Sequence, residues 1–448
     1  MSVIVRFAPS PTGKLHVGNV RAALWNWLFA RKQSGQFMLR IDDTDQARST
    51  KAYEEAIIAD LGWLGLTHDL TASQSSRFSI YDEVADQLRE EGLLYACYET
   101  AEELDRKRKV QRARGLPPIY DRAGLNLSDA EKSAFEAEGR KPHWRYKLSQ
   151  KPASWTDLIR GETSLDTTSV SDPVLIRADG QYLYTLPSCI DDADFNITHV
   201  IRGEDHVTNT AVQVEIFETL ARLRGKTHIP NFAHHSLLIG TDGEGLSKRL
   251  GSLSIEAMRE DGLEPAAITS LLAKLGTADP VVAQSQLQTL ADQFDFAKMG
   301  RAPARFDMAE LEALNAKLLH DYNWADVAPR FEGQNVSEDL WNGVRANLTR
   351  AKDVVEWQAV IDGPITPVIE NPEFSKAAAQ CVPDSPLTDE SWSRFVAEVK
   401  EKTGAKGKAL FMPLRQALTG KSHGPEMNGL FMLIGSEKAR ARLHGETI

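Results

Sequence analysis

The chain has 448 residues, enough for about two to four domains, so one small binding module is excluded as the whole of it. Hydrophobic residues make up 42% and charged residues 26%, a globular composition that excludes collagen-like, disordered and disulfide-scaffold classes. Lysine and arginine number 52 against 63 aspartates and glutamates, and the net charge of −11 excludes indiscriminate polyanion binding through the whole surface while leaving room for a local basic face.

The N-terminal part alternates strand and helix. A β-rich run over 3–7 leads through Pro9-Ser-Pro-Thr-Gly-Lys14 into a predicted helix over 17–33, where Val20, Ala23, Leu24, Trp27 and Leu28 recur at helical spacing as core candidates, with Trp25 beside them. A second strand over 37–41 follows Gly35, and Asp42-Asp-Thr-Asp45 leads to a helix over 51–64. This pattern predicts an α/β fold with a Rossmann-like, doubly wound parallel sheet. The texture changes between 101 and 185: a charged helix holds Arg106-Lys-Arg-Lys109, and short β-like runs lie around 144–147 and 173–176, so an inserted α+β unit is expected. The βα rhythm returns over 182–239, with a strand at 198–201 and a helix over 210–224. Beyond Ser254 the pattern is mostly helical, broken at Asp279-Pro280, 363–367 and 383–386. The expected division is a split catalytic domain, 1–100 and 186–254, an insertion, 101–185, and helical regions over 255–325 and 326–448.

No apolar run reaches the ~18 residues of a membrane helix, and Arg6 with Pro9 interrupts any signal-peptide core, so a cytoplasmic protein without a membrane partner is expected. Cys97, Cys189 and Cys381 form no CxxC pair, which removes a disulfide framework and a four-sulfur zinc site.

Two tracts carry chemistry. Pro9-Ser-Pro-Thr-Gly-Lys-Leu-His16-Val-Gly-Asn19 falls at the carboxyl end of the first strand, where open α/β sheets bind ligands and a helix start favours an anion. Gly18 permits close backbone approach, while His16 and Asn19 can donate to phosphate or ribose oxygens. Far downstream, Asp242-Gly-Glu-Gly-Leu-Ser-Lys248-Arg249-Leu-Gly251 is a glycine-rich stretch whose Lys248 can reach a polyphosphate. Alone, the first reads equally as a capped helix start and the second as a solvated loop. Neither a Walker A sequence nor GxGxxG is present.

Together, their types, order and separation resemble the HIGH and KMSKS signatures of class I aminoacyl-tRNA synthetases. Arg6-Phe-Ala-Pro-Ser-Pro-Thr-Gly13, Asn26-Trp-Leu-Phe-Ala-Arg31, Leu39-Arg-Ile-Asp-Asp-Thr-Asp45, Val200-Ile-Arg-Gly-Glu-Asp-His206 and Leu246-Ser-Lys-Arg249 narrow the resemblance to the bacterial glutamyl-tRNA synthetases. It continues through Phe306-Asp-Met-Ala-Glu-Leu311 and Leu410-Phe-Met-Pro-Leu-Arg-Gln-Ala-Leu-Thr-Gly420, and so spans nearly the whole chain.

The resemblance implies a ligase that makes glutamyl adenylate from L-glutamate and ATP, with Mg2+ carried by ATP, then charges tRNA(Glu); tRNA(Gln) stays open as a second acceptor. His16 and Lys248 are the implied catalytic residues, stabilising charge on phosphate oxygens without transferring protons. Gly18, Asn19, His206, Leu238, Ser247 and Arg249 join them around ATP. Arg6 and Arg202 are implied to hold the amino acid's side-chain carboxylate, a pairing suited to guanidinium, with Ala8, Ser10, Asp42, Tyr184 and Ser188 around them. Gly245 stands where the family often has the first lysine of the second signature. The inserted unit would bind the acceptor arm, the region 255–325 would contact the stem, and the helical region 326–448 would bind the anticodon loop. Arg106, Lys107, Arg108 and Lys109 are acceptor-arm candidates, and Arg345, Arg350 and Lys352 are candidates in the tail; Arg106 to Arg114 carries six basic residues and no acid. Cys97, just ahead of the inserted unit, is the only cysteine before Cys189, so no structural zinc is expected there, and a monomer is the expected working form. The nearest rivals are the glutaminyl enzyme and the truncated enzyme that glutamylates a modified tRNA base; the HVGN tract, Arg202 and the helical tail argue against the first, and the C-terminal half against the second.

Overall fold

The computed structural model describes residues 2–225, 228–246 and 253–448. It divides into two compact units, Met1–Glu260 with Ile268–Asp307, and Asp261–Ala267 with Met308–Ile448. The region 255–325 is thereby shared between them.

In the first unit the chain runs β1 (Ile4–Phe7), α1 (Val17–Lys32), β2 (Gln36–Ile41), α2 (Lys51–Trp63), β3 (Leu70–Ser73), α3 (Phe78–Glu90) and β4 (Leu94–Cys97). It continues α4 (Ala101–Ala113), α5 (Asp129–Ala137), β5 (His143–Tyr146), β6 (Pro152–Asp157), β7 (Gly161–Asp166) and β8 (Val174–Ile176). Then come α6 (Thr185–Asp194), β9 (His199–Gly203), α7 (Val207–Arg224) and β10 (Asn231–His235). The main sheet has seven strands in the order β3-β2-β1-β9-β10-β6-β7, all parallel except β7. Its central strands are buried runs such as Val5-Arg-Phe7 and Phe37-Met-Leu-Arg-Ile41, as a sheet covered on both faces requires.

Helix α1 buries Val20, Ala23, Leu24, Trp25, Trp27 and Leu28, and Trp25 Nε1 donates to Leu272 O at 3.0 Å, so more than one face of this helix is covered. An expectation changes at β6 and β7. They fall in the stretch read as an inserted unit, yet Asp157 on β6 pairs with Phe232 on β10 and the hairpin extends the main sheet. Along β6 alternate residues are buried against α7, the period of a strand with one covered face. What remains of the insertion is α4, α5 and a separate sheet in the order β4-β5-β8.

The second unit is helical throughout its described regular elements, from Met308–Asp321 to Met427–Leu443. Trp341, Phe395, Leu414, Leu430 and Phe431 anchor its core, and the Phe395 and Phe431 rings stack at 5.0 Å. Among the described residues, no helix is long and apolar enough to cross a membrane.

Candidate active site

A cavity of about 680 Å³ opens at the carboxyl ends of β1, β9 and β10, lined by residues of the loops that follow them. Helices connect β1 to β2 on one side of the sheet order while β9 adjoins β1 on the other. The cavity thus lies at the switch point where open α/β sheets bind ligands.

His16 is the N-cap of α1. Its Nδ1 accepts from Gly18 N at 3.1 Å, and Asn19 Oδ1 accepts from His16 N at 3.3 Å, a reciprocal cap that fixes the ring. Burial lowers the His16 pKa, so the imidazole is neutral near pH 7. With Nδ1 as acceptor the proton sits on Nε2, which makes that atom a donor at a helix start already favourable to anions. The close backbone turn needs glycine at position 18, because a Cβ there would lie 2.9 Å from His16 Cε1.

Arg6 leaves β1 and Arg202 leaves β9; both line the cavity and both are buried. Arg6 donates from Nε and Nη2 to Asp192, at 3.1 Å and 3.2 Å to the nearest oxygens. Arg40 joins the same cluster, donating from Nη1 to Asp192 at 2.7 Å and from Nε to Asp42 at 2.6 Å. Asp191 is met by Arg77 at 2.7 Å. Burial opposes ionisation of Asp192, but Arg6 and Arg40 outweigh it and hold the carboxyl below its ordinary value. Arg202 differs: its acceptors are Tyr184 Oη at 2.7 Å, Thr210 Oγ1 and Gln213 Oε1 at 2.6 Å each, and His234 Nε2 at 3.3 Å. Among the described residues it has no carboxylate within 4.0 Å. Four of the guanidinium's five N–H groups are committed, and the last is on Nη1.

The other expected contacts divide. Ala8, Ser10, Asp42, Tyr184, Gly18, Asn19, His206 and Leu238 line the cavity. Ser188 does not: it is fully buried, and its Oγ accepts from Arg40 Nη2 at 3.2 Å, one layer behind the wall. Asp42 reaches the wall while engaged by Arg40, and burial pushes its carboxyl up to about 6 against that pull. Burial also lowers the His206 pKa, with Arg202 adding to the effect.

Ser247, Lys248 and Arg249 lie outside the described residues. The segments flanking them are described. Ile239 bridges Gly245, and Gly245 and Leu246 line the cavity. On the far side Ser254 bridges His16, and Val17 N donates to Leu253 O at 3.3 Å.

The RNA candidates also divide. Arg106 and Arg108 are exposed on α4 and make no ion pair among the described residues, whereas Lys109 pairs with Asp105 at 2.8 Å and Lys107 with Asp121 at 3.0 Å. Lys352 is exposed and Arg345 donates to Tyr322 O at 2.6 Å. Arg350 is buried, held by Asp261 at 2.7 Å and Glu312 at 3.1 Å, so its charge is spent inside the second unit. Near α4, Cys97, Glu99 and His143 bring ligand atoms within 4.8 Å of one another. Burial pushes the Cys97 thiol up to about 11, and Lys107 Nζ lies 3.2 Å from Glu99. One thiol, one carboxylate already met by a lysine and one imidazole fall short of the four-ligand, thiolate-rich shell of a structural zinc.

Reading by motif missed Arg40, Asp192, Arg21, Asn26 and His234. Arg40 and Asp192 are charged residues within buried runs, a pattern that signals a buried ion-pair network. Arg21 and Asn26 line the cavity, and Asn26 follows Gly18 and Ala22 at the four-residue spacing of one face of α1. His234 lies behind Arg202 on β10 and carried no sequence signal.

Comparison with known proteins bears on this site. The family described as "tRNA synthetases class I (E and Q), catalytic domain" matches residues 2–313, and "Anticodon binding domain" matches residues 372–445. A protein of Maricaulis maris named glutamate--tRNA ligase 1 is 56% identical, with 99% of each chain covered. A protein of Methylorubrum populi named glutamate--tRNA ligase 2 is 54% identical, covering 100% of this chain and 99% of its own. The crystal structure of a glutamate tRNA ligase from Elizabethkingia meningosepticum, in complex with its amino acid, superposes with a TM-score of 0.85 at 28% identity, covering 99% of this chain and 98% of that one. By the catalytic-domain match over most of its length and by relatives more than half identical from end to end, this chain belongs to the class I aminoacyl-tRNA synthetases, in the glutamate--tRNA ligase family.

Proposed function

We propose that the chain activates L-glutamate with ATP, as its magnesium complex, to glutamyl adenylate, and transfers the glutamyl group to the 3′-terminal adenosine of tRNA(Glu). The observation that carries this reading is Arg202, a buried cation on the cavity wall whose acceptors are all neutral. A ligand carboxylate supplies the missing negative charge. Glutamine can accept the one remaining Nη1–H through its amide oxygen but brings no negative charge, so it leaves a buried cation unneutralised, and that is the basis for discrimination.

In the first step an α-carboxylate oxygen attacks the α-phosphorus, the bond to the pyrophosphate oxygen breaks, and pyrophosphate departs. The attacking group is already deprotonated, so no general base is needed. His16 Nε2–H, at the α1 start, binds phosphate oxygens, and Lys248 adds a charge to the departing pyrophosphate. Asp42, when ionised, receives the amino acid's ammonium group. In the second step the terminal ribose hydroxyl takes the acyl group and AMP is released. Arg106 and Arg108 lie along the acceptor arm, the helical second unit takes the anticodon loop, and a cytoplasmic monomer is the working form.

The test is charging of purified tRNA(Glu) and tRNA(Gln) with labelled glutamate or glutamine. Glutamate is expected on tRNA(Glu), with glutamine inert on both. Charging by glutamine and not by glutamate would overturn the substrate, and the tRNA(Gln) arm reads whether the acceptor range is wider. Lys248→Ala is expected to lower the rate at least tenfold, about 1.4 kcal/mol.

A further inference from the structure

Behind Arg202 lies a chain of buried polar groups that are not part of the cavity lining. His234, on β10 and fully buried, pairs through Nδ1 with Asp157 Oδ2 at 2.5 Å. Its other nitrogen, Nε2, lies 2.8 Å from Thr210 Oγ1 and 3.3 Å from Arg202 Nε. Asp157, at the end of β6, is also buried, and its second oxygen accepts from the backbone amides of Ile159 at 3.0 Å and Arg160 at 2.9 Å.

The hydrogens on this chain can be placed. Asp157 Oδ1 is occupied by amide donors, so it is an acceptor. Burial opposes ionisation of Asp157, but the bond from His234 and the amides of Arg160 and Ile159 outweigh it and hold the carboxyl below its ordinary value. An ionised Oδ2 accepts, so His234 Nδ1 carries the proton. Burial lowers the His234 pKa, with Arg202 adding to the effect against the pull of Asp157, so the ring carries no second proton near pH 7. Nε2 is therefore a lone pair aimed at the Arg202 Nε–H and the Thr210 hydroxyl. A neutral imidazole can accept there; an imidazolium or the opposite tautomer would meet the guanidinium donor to donor.

We propose that Asp157 and His234 are positioning residues for glutamate recognition: the carboxylate fixes the imidazole tautomer, and the imidazole fixes the plane of the Arg202 guanidinium so that its free Nη1–H faces the cavity. This rests on the assignment of Arg202 to the substrate carboxylate. It also explains why that arginine is held by neutral groups. A carboxylate placed directly on Nε would cancel the charge that selects the substrate, whereas one placed beyond an imidazole orients the group and leaves the charge at the wall.

Asp157→Asn is the decisive variant because it is isosteric. Its carbonyl keeps the bonds from the backbone amides, which turns the new NH2 toward His234 Nδ1. That ring must then protonate at Nε2, facing Arg202 with a donor. The measurement is steady-state charging of tRNA(Glu), with KM for glutamate and for ATP taken separately beside thermal unfolding. Expected are a roughly tenfold rise in KM for glutamate, the size of one unsatisfied buried donor, and a KM for ATP within twofold of the parent. His234→Gln, whose Oε1 can accept from Arg202 but cannot reach Asp157 as Nδ1 does, should sit between the parent and His234→Ala in KM for glutamate. Unchanged KM for glutamate in Asp157→Asn and His234→Ala, or equal rises for both substrates, would overturn the proposal. Loss of the active fraction alone leaves both KM values unmoved and counts against it equally. A parent protein that charges no glutamate would instead overturn the substrate reading, so the two failures are distinct.

Discussion

Arg6 and Arg202 border one cavity at nearly equal exposure, 5% and 7%, yet their surroundings differ in charge. Arg6 belongs to a closed network in which guanidinium groups and the carboxylates of Asp42 and Asp192 neutralise one another. Arg202 is embedded among a phenol, a hydroxyl, an amide and an imidazole. The first arrangement is a scaffold that is complete without a ligand. The second carries a cation that burial makes costly until a counter-charge arrives, and on the proposed reading that need is what lets Arg202 select the substrate.

Removing a partner from the closed network should have the largest effect. Asp192→Ala strands Arg6 and takes one of the carboxylates from Arg40, which keeps Asp42, and a stability loss of about 3–5 kcal/mol is expected in denaturant titration. Arg202→Ala should cost less stability than that, because it removes a lone cation, while kcat/KM for glutamate falls by about 10²–10³-fold. Equal stability losses in the two variants would break the contrast.

The imidazoles sharpen it, since they are charged only when protonated. Burial lowers the pKa of His235 to about 3 and that of His199 to about 4. At these two positions the unfolded chain therefore binds more protons than the folded one below about pH 6.5, and the stability they contribute falls as pH drops through that window. Between pH 6.5 and 5.5 these two residues alone should cost about 2 kcal/mol, and His235→Gln should remove about half of that amount from the pH dependence of stability. The smallest effect is expected at the helix start. In Gly18→Ala the new Cβ would lie 2.9 Å from Cε1 and 3.1 Å from Nδ1 of His16, so the ring must shift; a kcat about tenfold lower with an unchanged KM for glutamate is the outcome sought.

Most of the sheet and the outline of the site could be read from residues alone. The strand at Ile4–Phe7, the helix from Val17 and the strand at Gln36–Ile41 announce themselves through apolar runs and spacing. The hairpin of β6 and β7 does not, because Pro152-Ala-Ser-Trp-Thr-Asp157 and Gly161-Glu-Thr-Ser-Leu-Asp166 are polar and each covers only one face. Motif spacing pointed to Arg6, His16 and Arg202 but could not say what each arginine is bonded to. Ser188 and Arg350 show the limit: the resemblance implied a substrate contact for the first and the family context an RNA contact for the second, whereas long-range partners, Arg40 for one and Asp261 with Glu312 for the other, occupy them. Such partners are brought together only by the fold.

The neutral cradle of Arg202 also bears on how the empty protein stores free energy. A substrate that brings its own anion relieves an electrostatic debt along with making contacts, and only the folded chain offers that relief. Glutamate binding is thus coupled to the melting of the first unit: at one hundred times its Kd, saturation would add about 2.7 kcal/mol to the folded state. An isosteric amide at the same concentration, with no anion to offer, would leave the melting curve almost where it began.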